Sequence, residues 1–461
     1  MTNKISVSFV LFLILVKIIA VFSTDFNLFA DEAQYWLWSK NLDFGYFSKP
    51  PLLAWCLRVY TSVFGDTFEA LKFFSMPFYL FTAFFVYSLC KKLGFEKPDS
   101  LCCAIIFFII PAVSLSSVIV STDVILLFFW IILINLVLEI RNNPKNLSFV
   151  FLGVFFGLAF LAKYAAVYFL ICLIVLFVFD KKTRKSIGSN MQGVVLFILV
   201  SFVFILPNIL WNYLNGWVTL YHTADNANLK NYDLNIFRGV GFLLTQLLML
   251  GPFLFVGFLI NIKNFKIDFE NIYLLSFSLP IIIVVFVESV LVRANANWAA
   301  PALLALLILF YRSIKKYKTS IININFFFNL GLGLFLFFAL ATSMPLKVFD
   351  RISGLKDFAL EVVSITDGKT LVVNDRMLFS SLSYELKDRP IKILIPYNPS
   401  GPIKNHFQLK SKLEVGQNKK FYLVGSPDNI SYLSQKHQTK IIKKINKKFI
   451  SEQITIYEVS F

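Results

Sequence analysis

Ile5–Phe22, reading ISVSFVLFLILVKIIAVF, is followed shortly by Asp31-Glu32-Ala33-Gln34-Tyr35-Trp36 and then by Gly45-Tyr46-Phe47-Ser48-Lys49-Pro50-Pro51. The apolar run approaches the roughly 20 residues needed to cross ~30 Å of hydrocarbon. The acidic and aromatic loop behind it decides how the rest of the chain is read. Carboxylates facing lipid are costly, so Asp31 and Glu32 should line a water-filled cavity and serve chemistry. Lys49 precedes a double proline, and that rigid turn can hold a cation against a phosphate that the carboxylates would repel. Lys4 ahead of the apolar run has the look of a signal peptide. No small-residue cleavage site follows it, which favours a retained first span.

Composition agrees. Of 461 residues 57% are hydrophobic and only 15% charged, with 54 phenylalanines and a mean hydropathy of +0.70. A soluble protein averages about 25% charged residues, so a polytopic membrane protein is expected. Cys56, Cys90, Cys102, Cys103 and Cys172 lie mostly in apolar runs without metal-like spacing; they read as buried hydrophobes, not as a disulfide framework. The net charge of +17 sits mostly in loops and tail. Membrane topology and anionic head groups explain it better than nucleic acid does.

Apolar runs at Ile5–Phe22, Ala70–Cys90, Leu101–Val118, Val124–Ile140, Ser148–Ala162, Ala165–Phe179, Gly193–Leu210, Phe237–Ile260, Ile272–Val290, Trp298–Tyr311 and Ile321–Ala341 predict about eleven spans. With the N-terminus inside, the inner connections Lys91–Ser100, Arg141–Leu147, Asp180–Asn190, Asn261–Asn271 and Tyr311–Lys318 hold most of the loop Lys and Arg. The positive-inside rule selects that orientation. Asp31, Lys49, Ser121-Thr122-Asp123, Lys163, the Trp211–Asn235 loop and Arg293 then fall outside, in a membrane catalytic domain over 1–345 whose first outer loop is 24–69.

Residues 346–461 change character. Thr370–Asn374, Ile391–Tyr397, Phe421–Gly425, Thr439–Ile445 and Gln453–Phe461 predict short strands. Leu355–Ser364 and Met377–Leu386 predict amphipathic helices between them, and Asn398-Pro399-Ser400-Gly401-Pro402 marks a loop. A soluble α/β domain on the outer side follows from an odd span count.

The candidate catalytic acids are Asp31, Glu32 and Asp123. An outer carboxylate can act as general base toward an acceptor hydroxyl or phosphate. Adjacent helical residues diverge by roughly 100°, so Asp31 and Glu32 should divide the work: one faces the cavity and the other holds the loop. Asp123 opens an apolar run, where a capping role is equally open. Lys49, Lys163 and Arg293 are outward cations at membrane depth that could snorkel singly. Together they could cradle a donor phosphate as its charge develops. Tyr35, Tyr46, Trp211, Asn297 and Trp298 are candidate substrate-binding residues, with His222 nearby in the outer loop; an interfacial aromatic belt is the competing explanation for the rings. No Gly-rich phosphate loop, nucleotide fingerprint or Ser/His/Asp arrangement is found, so an outward-facing enzyme would need a lipid-borne donor.

The first-loop motifs, Ser121-Thr122-Asp123, Ala162-Lys163-Tyr164, Pro207-Asn208, Trp211-Asn212, Asn215-Gly216-Trp217 and Asn297-Trp298-Ala299-Ala300-Pro301 resemble the bacterial branch of the GT-C glycosyltransferases. The resemblance is strongest to the protein mannosyltransferase and aminoarabinose transferase superfamily, and it spans about Ile5 to Tyr311. It implies an α-helical polytopic enzyme of the bacterial inner membrane. Its donor would be a polyprenyl-phosphate sugar, used at the periplasmic face, with Asp31 as catalytic acid in the first loop. In the aminoarabinose-transferase type a lysine before Pro-Pro contacts the donor phosphate, and Lys49 matches it. The residue before that lysine is acidic there and can bind a metal; here it is Ser48, which leaves a divalent cation only a candidate cofactor.

The reaction so implied is inverting transfer to a glycolipid acceptor of the lipid A or lipopolysaccharide type. A protein O-mannosyltransferase is the related alternative. A polyprenyl-linked flippase is the rival of another class. It would show helices broken at mid-membrane depth and charges within spans, whereas the charges named above cluster at span ends.

Overall fold

The computed structural model describes residues 3–227, 233–316, 319–401, 403–413, 420–432, 437–447, 449 and 453–460. Lys318, Pro402, Phe461 and the centre of the outer loop at 228–232 lie outside the described residues.

The chain is mostly helical. In order come α1 (Asn3–Ser23), α2 (Ala30–Lys40), α3 (Leu52–Phe64), α4 (Phe68–Phe73), α5 (Met76–Lys92), α6 (Lys97–Ile109), α7 (Pro111–Ser116), α8 (Thr122–Asn142), α9 (Asn146–Ala162) and α10 (Tyr168–Phe179). There follow α11 (Lys181–Gly188), α12 (Met191–Leu214), α13 (Val218–Ala227), α14 (Ile236–Leu250), α15 (Pro252–Ile260), α16 (Phe269–Ser276), α17 (Leu279–Leu291), α18 (Ala300–Lys315) and α19 (Thr319–Ala341). Among the described residues six helices are long and apolar enough to cross a membrane, or up to eight if two bent pairs each count as one span. Shorter apolar helices at Val7–Ser23, Leu52–Phe64 and Asn146–Ala162 accompany them. The molecule is a multi-pass membrane protein.

Contacts divide the chain into two compact units: Met1–Val21, Lys49–Leu53 and Leu71–Phe338 form one, and Phe22–Ser48, Ala54–Ala70 and Ala339–Phe461 the other. In the first unit α8 is the central rod, with Val124, Ile125, Trp130, Ile131 and Leu133 fully enclosed. Helices α9 and α12 pack closely because Gly153 and Gly157 present no side chain; a Cβ on Gly153 would meet the Phe197 carbonyl oxygen at 2.8 Å, and one on Gly157 the Phe204 Cβ at 2.5 Å. Small residues four apart are the usual device for close helix approach in lipid.

Among the expected spans, Leu101–Val118 and Phe237–Ile260 are each split into two helices. The first breaks between α6 and α7 at Ile110, whose ψ of 147° is the extended conformation forced by the following Pro111. The second turns through 102° between α14 and α15, at Gly251 with φ 97°. The left-handed region admits glycine readily, and Pro252 brings no N–H to continue the ladder. Broken spans are therefore present in this protein. A lysine lies inside an apolar helix as well: Lys17 of α1 is 2% exposed.

The second unit carries the sheet, with strand order β2-β1-β3-β5-β4 over β1 (Leu371–Val373), β2 (Ile393–Leu394), β3 (Lys420–Val424), β4 (Gln438–Ile445) and β5 (Ile454–Ser460). β1 pairs parallel to β2 and β3, and β5 antiparallel to β3 and β4. Val372, Leu394, Leu413, Phe421, Leu423, Ile430 and Val459 form its core. Lys440, Lys443 and Lys444 stand on the exposed edge strand β4, a placement that discourages edge-to-edge pairing. Helices α20 (Leu355–Thr366) and α21 (Arg376–Glu385) precede and follow β1, and the short α22 (Phe407–Lys410) precedes β3. Most of the first loop, save Lys49–Leu53, belongs to this unit: Phe26 packs with Ala339, Phe349 and Ile352, and Asn27 Oδ1 accepts the N–H of Leu355 at 2.9 Å, at the start of α20.

Candidate active site

In the second unit, the adjacent acids take different positions. Glu32 is 1% exposed, and its Oε2 accepts the Phe29 N–H at 2.9 Å. That bond satisfies one of the donors left open at a helix start. Asp31, one residue earlier on the same first turn, is exposed. Glu32 thus caps α2, and Asp31 is the more exposed of the two carboxylates.

Behind them the aromatic residues form a wall. Tyr46 is fully enclosed, its ring stacked on Trp38 at 4.6 Å and its hydroxyl donating to the Trp38 carbonyl at 3.2 Å. Tyr35 is 6% exposed and lies against Trp38 at 5.5 Å. Both were expected to touch substrate; the structure gives them packing positions that stiffen the loop. His406 closes the cluster at 4.9 Å from the Tyr46 ring. Burial pushes its imidazole down to about 4, against the opposing influence of Asp43.

Sequence reading missed a hub at Asp66. Its Oδ2 accepts the Trp36 indole N–H at 3.0 Å and the Lys40 ammonium at 2.5 Å, while its Oδ1 accepts Lys387 at 3.0 Å. Burial would raise this carboxyl, but the bonds from Lys40, Trp36 and Lys387 prevail and hold it well below the usual carboxylate range. One carboxylate so ties α2 to the end of α21. The partners lie 26, 30 and 321 residues apart, and no local pattern announces such a contact.

In the first unit, the Ser121 side chain accepts the Asp123 N–H at 3.1 Å, capping α8. Asp123 does more than cap. Its Oδ1 takes the Lys163 ammonium at 2.6 Å, with side chains 13% and 12% exposed, and its Oδ2 takes the Asn297 amide at 2.8 Å. Three helix junctions meet at this carboxylate. Lys163 can reach it because α9 ends there in extended backbone, at φ −159° and ψ 133°, before a 3-10 turn at Tyr164–Val167. The next residue extends the network: Tyr164 donates to Asn208 Oδ1 at 2.9 Å, and Asn212 Nδ2 lies 3.4 Å from the Tyr164 hydroxyl. Trp211 is 7% exposed, on the same turn of α12 as these asparagines. Trp298 is half-buried within the turn Ala296–Ala299, which Gln246 Nε2 fastens through the Ala296 carbonyl at 2.8 Å.

The structure therefore joins Asp123, Lys163 and Asn297 in one constellation. Arg293 is exposed and enters no ion pair among the described residues. Lys49 is half-buried beside the enclosed Pro50. Both oxygens of Asp123 are engaged by donors, Lys163 and Asn297. For the candidate cation, Ser48 offers a hydroxyl where a carboxylate would be the stronger ligand. Among the described residues no group of three or more His, Cys, Asp or Glu side chains could hold a metal ion.

Residues 48–211 match the family model described as dolichyl-phosphate-mannose-protein mannosyltransferase. The lipid A galacturonosyltransferase RgtD of Rhizobium johnstonii is 28% identical over 391 residues, 80% of each chain. Among solved structures, apo ArnT from Cupriavidus metallidurans superimposes with a TM-score of 0.67 at 12% identity, over 99% of this chain and 98% of that one. The same ArnT bound to undecaprenyl phosphate gives 0.66 at 13% identity, with the same coverage. These last two establish a shared fold.

Proposed function

We propose that this chain, an ArnT-like GT-C glycosyltransferase, moves a glycosyl unit from a polyprenyl-phosphate donor to a glycolipid acceptor of the lipid A type at the periplasmic face of the inner membrane. The observation that carries the reading is the Asp123–Lys163–Asn297 constellation, an ammonium fixed at an outer helix junction by a carboxylate. The acceptor class is supported by the likeness to RgtD, and the donor class by the fold shared with an ArnT that binds undecaprenyl phosphate.

The chemistry needs a nucleophile and a stabilised leaving group. An acceptor oxygen attacks the anomeric carbon as the bond from that carbon to the phosphate oxygen breaks, and the bonding pair leaves with the phosphate. The configuration at that carbon inverts. Asp31, exposed on the first turn of α2, orients the acceptor and takes its proton. That service matters more for a hydroxyl than for an already ionised phosphate. Lys163 stabilises the charge growing on the departing phosphate, and Lys49 on its proline-fixed turn makes a second contact. Asp123 lowers the cost of keeping an ammonium at membrane depth before substrate arrives.

The test is direct: purified full-length protein is supplied with labelled polyprenyl-phosphate sugar and lipid A. Release of free polyprenyl phosphate with label in the glycolipid supports the reading. Label crossing the bilayer with the donor intact overturns it in favour of transport. The family match over 48–211 favours one second reading, transfer to Ser or Thr of exported proteins, and label in a Ser/Thr peptide in place of lipid A would establish that acceptor.

A further inference from the structure

Within the first unit, α1, α5 and α6 enclose a groove of about 450 Å³. It forms because small side chains stand where the helices face one another. Ala83 of α5 and Ala104 of α6 line it, with Ala104 and Phe108 buried at its floor and Val7, Leu11 and Phe84 exposed along its rim. Along α6 the lining runs from Lys97 to Phe108, roughly 16 Å at a rise of about 1.5 Å per residue. One leaflet of a ~30 Å hydrocarbon core is about as deep.

The lining is apolar apart from two side chains, Tyr87 and Lys97, and both belong to one end. Tyr87 lies near the foot of α5 and Lys97 opens α6, flanking a connection that the charge distribution assigns to the inner side. Lys97 is exposed and enters no ion pair, and the half-buried Tyr87 makes no side-chain hydrogen bond, among the described residues. Two acids adjoin Lys97 in sequence. Glu96 is exposed, and Asp99 is taken up by Lys315 and the Tyr311 hydroxyl. A lone lysine at a helix start can simply snorkel into water; here an apolar groove one leaflet deep begins beside it.

We propose that this groove holds an acyl chain of an anionic phospholipid, with the phosphodiester on Lys97 and the Tyr87 hydroxyl. An apolar hollow open to the bilayer forfeits dispersion contacts unless a chain fills it. The chain accounts for the depth and the apolar lining, and the phosphate for the ammonium and hydroxyl left open at the mouth. A negative head group also answers the positive charge of the inner connections. The donor of the proposed reaction does not meet these terms, because its phosphate is used on the opposite side of the membrane.

Full-length protein in a neutral detergent is mixed with equal amounts of phosphatidylglycerol and phosphatidylcholine, and the intact complexes are weighed by native mass spectrometry. The expected result is a retained phospholipid, with phosphatidylglycerol favoured by about fivefold, the worth of one cation near the surface. Lys97→Gln, at an exposed position, should bring that ratio close to one, and Lys97→Arg should keep it. Ala83→Phe should fill the groove and remove the retained lipid of either kind. Glycerophosphoglycerol, the head group without chains, should not displace it. Equal retention of the two lipids by the starting protein, or an unchanged ratio in Lys97→Gln, overturns the anionic assignment. Undiminished retention in a folded Ala83→Phe protein, or displacement by the chain-free head group, overturns the groove. If Ala83→Phe fails to fold, the ratio in Lys97→Gln decides alone. A dimer in place of the lipid complex gives the groove to a second copy and overturns the proposal. None of these readouts depends on glycosyl transfer, so the site can fail without touching the proposed function.

Discussion

Removing the ammonium of Lys163 should strand Asp123. At 2.6 Å, Coulomb's law with an effective dielectric of ~20 gives an attraction of about 6 kcal/mol. Desolvation of two groups only 12% and 13% exposed takes back much of that gain, so the pair adds little over a well-packed apolar one. Losing one partner is another matter, because the survivor stays charged and buried. Lys163→Met and Asp123→Leu should each cost about 3–5 kcal/mol, whereas the double variant should return to within about 1–2 kcal/mol of the starting protein. The assay is denaturant unfolding of full-length protein in mild detergent across this four-member cycle, with donor turnover measured in parallel. The double variant should be folded yet fail to release polyprenyl phosphate, which separates the structural role of the pair from its chemical one. A double variant as unstable as the sum of the singles would refute the coupling. One that turns over donor at the original rate would remove Lys163 from the phosphate contact.

Asp31→Asn should abolish transfer with the unfolding midpoint unchanged, because the side chain is exposed; persistent turnover would release Asp31 from its role. Asp66→Asn should loosen the Trp36–Lys40–Lys387 hub by only about 1 kcal/mol, since the carboxylate is 30% exposed and screened by solvent. Its carboxyl is held below the ordinary value of 3.8, so that contribution is present above pH 3.8 and is lost as pH falls further; an acid unfolding curve identical in the variant would count against it. His406 works at higher pH: its folded value of about 4 lies below the ordinary 6.5. Its contribution is therefore complete above pH 6.5 and is lost as pH falls toward 4, a swing of about 3 kcal/mol. His406→Leu should flatten that slope, and an unaltered slope would assign the acid sensitivity elsewhere. Gly251→Ala should destabilise by about 2 kcal/mol or more, because φ is 97° and the new Cβ would meet Asn325 Oδ1 at 2.5 Å; an unchanged unfolding midpoint would argue that the corner can relax.

Much of this organisation was legible in the sequence because it is local. Strand and helix positions in the tail follow alternation and amphipathic period, and β1, β3, β4 and β5 lie within a residue or two of the expected runs. The different exposure of Asp31 and Glu32 follows from their angular separation on a helix, and the third position of α2 is where a capping glutamate belongs. Lys163 and Asn297 were candidates singly, but their shared hold on Asp123 spans 40 and 174 residues, and periodicity carries no information over such separations. The Asp66 hub stayed hidden for the same reason. Tyr46 misled because an aromatic ring in a charged loop reads alike whether it faces a sugar or a tryptophan. The corners at Ile110 and Gly251 were written in Pro111 and in Gly251-Pro252, but the unbroken hydropathy around them outweighed those residues in the span count.

Those corners reopen the transport reading, since a transporter was expected to have broken spans and a charge inside one. The hydrogen bonds at the first corner argue otherwise. Breaking a helix in lipid leaves carbonyls without partners, and each must be satisfied from within the protein. Here α7 and the residues after it do so themselves: Ser114 Oγ donates to the Ile109 carbonyl at 3.2 Å, Ser116 Oγ to Ala112, and Ser117 Oγ to the Ser114 carbonyl at 2.8 Å. The Lys17 ammonium donates to Ser117 Oγ at 2.8 Å and lies 4.1 Å from the centre of the Phe108 ring. It is the last link of a chain that closes the break, wedged between the Phe108 and Phe337 rings. Lys17→Met keeps the length and the apolar packing, so it should change stability by no more than about 1–2 kcal/mol and leave glycosyl transfer within about twofold. A coupled transporter would need that ammonium, as intramembrane charges that drive transport do. Loss of all turnover in a folded Lys17→Met protein would make the corner part of the machinery and undo its reading as architecture.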